Sequence, residues 1–96
     1  MAIVRSYTLP AAAGKEAQLE QALADLAAAL TGCDGSQGTV TLRSQANPAE
    51  YRFLELWRDE DARKAAGGSV DKGIMGALMG ALDGKPGTED FDRLGG

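Results

Sequence analysis

The chain has 96 residues, a net charge of −4, 44% hydrophobic and 25% charged residues, no histidine and one cysteine. That length makes one domain, 1–96, and the composition excludes disorder, while the acidic balance excludes general nucleic-acid binding, which needs a basic face. The missing histidine removes imidazole acid–base chemistry, His-dependent triads, a histidine haem ligand and the usual zinc and iron sites, and a lone Cys33 makes neither an internal disulfide nor a CxxC pair.

Met1 to Leu9 lacks the basic and apolar regions of a signal peptide, and no stretch reaches the ~20 apolar residues of a membrane span. These features lead to the expectation of a cytoplasmic protein with no membrane partner. Ala2 to Leu9, rich in Ile, Val, Tyr and Thr and closed by Pro10, reads as a strand. A helix follows from about Lys15 to Leu30, with Leu19, Leu23, Leu26 and Leu30 on one stripe and Gly32 as its stop. Thr31 to Gly38 is a glycine-rich loop. Thr39 to Gln45 and Tyr51 to Trp57 form two strands of a hairpin around a turn at Asn47-Pro48.

Asp59, Glu60 and Asp61 ahead of Arg63 and Lys64 have the charge order of a short helix, which Gly67-Gly68 breaks. Val70 to Leu82 reads as another helix, carrying Ile74, Leu78 and Leu82 with Met75 and Met79 beside them. Thr88 to Leu94 is a short fourth strand. The order βαββαβ is that of a ferredoxin-like α+β fold: a four-stranded antiparallel sheet with helices on one face.

Strand alternation sorts the side chains into two faces. Val40, Leu42, Leu54 and Leu56, all aliphatic, are expected to meet the helices. Thr39, Thr41, Arg43, Tyr51, Phe53, Glu55 and Trp57 then take the opposite face, joined by Arg5 and Tyr7, because Arg5 under two apolar helices would be costly. An aromatic and charged face of this kind needs a cover. The bland reading is a homodimer interface with Arg5 and Glu55 paired across strands. The sharper one is a small-molecule cavity with those groups orienting the ligand. Met75 and Met79 have the spacing of core filler, and Gly73, Gly76 and Gly80 either allow close packing or leave room beside such a cavity. The acidic triplets Asp59-Glu60-Asp61 and Glu89-Asp90/Asp92 read as solvated charge, so no metal is expected. No phosphate loop, dinucleotide fingerprint or GxSxG is present.

Gly14-Lys15-Glu16 at the entry to helix one, the glycine-rich loop, the segment Tyr51-Arg-Phe-Leu-Glu-Leu-Trp57 with its acidic helix, and the ending Glu89-Asp-Phe-Asp-Arg-Leu94 resemble the antibiotic biosynthesis monooxygenase-like family. The resemblance implies a dimeric α/β barrel. It also implies a cofactor-independent oxygenase acting on phenolic or quinone-forming substrates, a haem-degrading protein, or one of the many members with no assigned role. Ala66 and Asp71 stand where members often carry histidine, which argues against haem. Phe53 and Arg63 stand where oxygenating members carry Asn and Tyr, so only Trp57 carries over.

On this reading Glu55, Trp57 and Arg5 are the candidate catalytic residues. Glu55 acts as a desolvated base and Arg5 or Arg43 as anion stabiliser. Tyr7, Phe53, Arg43, Met75 and Met79 bind a small aromatic molecule. No cofactor is needed. The alternative is a non-catalytic dimeric binding or structural domain. An Arg5–Glu55 salt bridge with no cavity beside it would favour the alternative; an apolar cavity of roughly 300 Å³ or more beside Trp57 and Glu55 would favour the site.

Overall fold

The computed structural model describes residues 1–96. Four strands and three helices follow in the order β1 (Ile3–Pro10), α1 (Glu16–Thr31), β2 (Ser36–Arg43), β3 (Glu50–Trp57), α2 (Glu60–Ala66), α3 (Lys72–Gly80) and β4 (Gly87–Asp92). The sheet is antiparallel in the order β2-β3-β1-β4, the ferredoxin-like arrangement, with β1 and β3 at its centre. β4 pairs with β1 of its own chain, from Ile3 opposite Asp92 to Thr8 opposite Gly87.

The α1 stripe is buried as its spacing predicts: Leu19, Leu23, Leu26 and Leu30 are all inside. Strand β3 gains Glu50 at its start, β4 runs Gly87–Asp92 rather than Thr88–Leu94, and two elements differ more from expectation. The helix expected over Val70–Leu82 is trimmed to Lys72–Gly80, because Asp71 caps it, accepting from the Gly73 N–H at 2.9 Å. Strand β2 starts three residues earlier than Thr39, at Ser36, with an irregularity between Ser36 and Gly38.

The expected sheet faces are inverted. The helices cover Tyr51, Phe53, Glu55 and Trp57, all buried, whereas Val40 and Leu42 are exposed on the other side. The assignment failed because it gave the plain aliphatics to the helices and treated Arg5 as too costly to lie there, with Glu55 following on the same face. Both are compensated: Arg5 is ion-paired with Asp90 and Glu55 is hydrogen-bonded to Trp57. The aliphatic face is therefore the uncovered one. Phe91, Val4 and Leu56 stand side by side in register, and Leu54 pairs with Val40 in the next row along.

Gly35 sits at φ +81°, where side chains are rarely accommodated, and a Cβ there would collide with that of Ala62 on α2. Its carbonyl accepts from the Arg58 N–H at 2.8 Å, tying the β2 entry to the start of α2. Gly35→Ala should therefore cost about 1–3 kcal/mol from backbone strain alone, read as a lower midpoint in urea unfolding with an unchanged slope.

Candidate active site

Alternation in β1 and β3 points Arg5, Tyr7 and Leu9 and then Phe53, Glu55 and Trp57 to the helix side. Leu23, Leu26 and Leu30 of α1 form another wall, and Met75, Leu78 and Met79 of α3 a third. Together they enclose a mostly apolar cavity of about 200 Å³ between the sheet and its helices. The cavity lies where expected but falls short of the roughly 300 Å³ expected of the site, the size at which drug-sized pockets begin. A dry cavity of about 150 Å³ takes a benzene-sized guest, so the space suits one aromatic ring rather than a fused polycycle.

Seven of the eight residues picked from sequence meet here: Arg5, Tyr7, Phe53, Glu55, Trp57, Met75 and Met79 all line the cavity. Arg43 does not. It lies at the end of edge strand β2, 3.6 Å from Glu20, beside a separate shallow groove that also touches Tyr51. The sequence placed Arg43 on the same face as Phe53, which is correct, but not how far along the strand the cavity reaches.

Glu55 is 7% exposed and accepts a hydrogen bond from the Trp57 indole at 3.0 Å. Burial pushes its carboxyl pKa above the ordinary 4.5, opposed by the Trp57 hydrogen bond and by the positive charges of Arg5 and Arg63. Burial also raises the Tyr7 phenol, reinforced by the Glu55 charge. Glu55 faces Arg5 in the β1–β3 register, but the expected Arg5–Glu55 salt bridge is not formed. Arg5 instead grips Asp90 of β4 with two bonds, Nε to Oδ1 at 2.8 Å and Nη2 to Oδ2 at 2.9 Å. That fork holds the Asp90 carboxyl below its usual range. Arg5 is only 23% exposed, so the pair is anchored at the cavity rather than loose on the surface.

A third charged group was not anticipated at this site. Arg63 of α2 lines the cavity with 15% of its side chain exposed. Its helix is fixed by Asp59, whose side chain accepts from the Ala62 N–H at 2.8 Å. The charge order of the segment suits any short helix, and the resemblance marked Arg63 only as a departure from the Tyr of oxygenating members; its place over the sheet follows from Ala62 and Ala66 being the buried positions of α2. Cys33 is partly buried and packs against the core.

The arrangement can bind a ring between Trp57, Phe53 and the α3 methionines, offer it a carboxylate of raised basicity, and surround it with positive charge. Residues 2–70 match the family model for antibiotic biosynthesis monooxygenase. The structure is similar to that of a protein from Caulobacter crescentus CB15 described as a candidate antibiotic biosynthesis monooxygenase: 30% identity, TM-score 0.87, covering 98% of this chain and 91% of that one. It is similar in fold to SnoaB, a cofactor-independent oxygenase from Streptomyces nogalater, at 19% identity, TM-score 0.83 and coverage of 99% and 95%. A conserved protein from Methanosarcina mazei Go1 also aligns at 19% identity and TM-score 0.87, covering 97% and 93%. No curated protein matches the chain significantly.

Proposed function

Because this chain belongs to the antibiotic biosynthesis monooxygenase family, we propose that it oxygenates a small phenolic or quinol-type molecule in the cavity beside Glu55 and Trp57, without a cofactor. The observation that carries this reading is a buried carboxylate, hydrogen-bonded to an indole, set in the wall of an apolar ring-sized space. A carboxylate with raised pKa is a competent base toward an acidic phenol. Removing that proton leaves an electron-rich phenolate, which can pass an electron to dioxygen. Recombination at a ring carbon, with the proton returned by Glu55, gives a hydroperoxide of the substrate, and loss of water between that group and the hydrogen on the same carbon yields the quinone. The balance is phenol plus O₂ to quinone plus water, with no external reductant. Trp57 and Phe53 stack on the ring, and Arg5, held by Asp90, supplies a fixed positive field for the developing anion.

The protein acts as a homodimer in this reading, through the aliphatic sheet face rather than the aromatic one. Phe91 and Leu42 are each 46% exposed and Val40 is 40% exposed on that face, an apolar row on a chain too small to bury much alone. Sedimentation should give twice the 10.0 kDa chain mass. Val40→Glu should convert the dimer to a folded monomer, since its side chain is already exposed in one chain. A wild-type monomer at micromolar concentration would remove this part of the proposal.

Oxygen uptake by the wild-type protein across a panel of monocyclic phenols and hydroquinones tests the reaction. Consumption above the buffer rate is expected. No consumption with any member would leave the other reading, a dimeric domain that binds a ring without acting on it.

A further inference from the structure

We propose that Arg63 is the anion anchor of the cavity and selects an aromatic ring that bears a carboxylate. This deepens the reading above and rests on its claim that the cavity takes a ligand. Two cations reach the cavity, and they differ in how they are compensated. Arg5 is saturated: both oxygens of Asp90 meet its guanidinium at hydrogen-bond distance. Arg63 is not. Its one ion pair is a 3.5 Å contact from Nη2 to Glu60, a residue whose side chain is 60% exposed and also lies 3.8 Å from Lys64. Its Nε is buried and has no hydrogen-bond partner. A mostly buried guanidinium with one weak ion pair and an unsatisfied nitrogen is an under-compensated charge, an unfavourable arrangement by itself. It becomes favourable when a planar anion arrives.

The chemistry of the partner follows from the donor. A guanidinium offers parallel N–H groups that match the two oxygens of a carboxylate, and charge-assisted bonds of this kind are stronger than neutral ones. The remaining charge at the cavity fits as well. Glu55 is the carboxylate in the cavity wall; it makes no salt bridge, accepts from the Trp57 indole and is the base the reading above assigns to the phenol proton. The phenol end of a ligand therefore belongs near Glu55 and the carboxylate end near Arg63. The volume of about 200 Å³ admits one ring with such substituents.

Trp57 is the only tryptophan, so its fluorescence reports on cavity occupancy directly. Wild-type protein, Arg63→Met and Arg63→Lys should each be titrated at neutral pH with benzoate and with benzamide, a neutral mimic of the same shape. Wild type should bind benzoate about tenfold or more tighter than benzamide, the effect of one charge-assisted contact. Arg63→Met should bring the two affinities together, and Arg63→Lys should keep most of the preference. Equal affinities in wild type, a preference that survives in Arg63→Met, or no binding of either compound would overturn the proposal. Arg63→Gln serves as the second neutral variant if Arg63→Met does not fold. The titration needs no turnover: a protein that discriminates benzoate from benzamide yet consumes no oxygen keeps the anchor and loses the oxygenase reading.

Discussion

Glu55→Gln should abolish oxygen consumption and leave the melting temperature equal to or above that of wild type. The amide keeps the shape and still offers an oxygen to the Trp57 indole, but it cannot take a proton. General-base removal of this kind lowers rates by about 10²- to 10⁴-fold. The stability half of the prediction follows from linkage. The folded pKa of Glu55 lies above its ordinary 4.5, because burial disfavours the charge. The charged carboxylate therefore opposes folding at pH values above its folded pKa, and that penalty fades as pH falls through the folded pKa towards 4.5. Any gain in melting temperature on Glu55→Gln should thus be present at neutral pH and vanish in acid. Had Glu55 been the salt-bridge partner of Arg5, the same substitution would have been strongly destabilising; Asp90 holds that place. A wild-type rate in Glu55→Gln would contradict its role as base.

The second large effect is expected at Trp57. Its side chain is 1% exposed and among the largest fully buried. Trp57→Ala should cost about 3–5 kcal/mol, a large share of the roughly 5–15 kcal/mol that holds a domain together. Chemical denaturation would read this as an early midpoint or as loss of the folded baseline. Trp57→Phe is the more informative partner. It retains most of the ring but removes the N–H that donates to Glu55, a bond that lowers the Glu55 pKa. Turnover depends on the deprotonated carboxylate, so the rise of rate with pH should shift to higher pH in Trp57→Phe. An unshifted profile would mean that the indole does not tune the base.

Much of this was legible before the structure, and the failures have physical reasons. The Leu19–Leu30 stripe, the Asn47-Pro48 turn and the alternation of β3 are local patterns, and local patterns fix the element order. Strand alternation also grouped Arg5, Tyr7, Phe53, Glu55 and Trp57 on one face correctly. It could not say which face the helices take. That choice was argued from the cost of burying Arg5, and the argument lacked Asp90, whose β4 register opposite Arg5 is a long-range fact. The same limit hid Arg63. Nothing in Asp59-Glu60-Asp61-Ala62-Arg63 separates a solvent-facing base from one turned over a sheet. Arg43 shares the β-face of the site but stands beyond the end of the cavity, a matter of distance along the strand rather than of pattern.

The central claim is that the cavity carries out oxygen transfer and does not only bind a ring. Turnover of a para-unsubstituted phenol under ¹⁸O₂, with metal chelator present, tests it most directly. The account predicts one labelled oxygen atom in the quinone and the other in water, both lost in Glu55→Gln. Unlabelled product, or oxygen recovered as hydrogen peroxide, would contradict it.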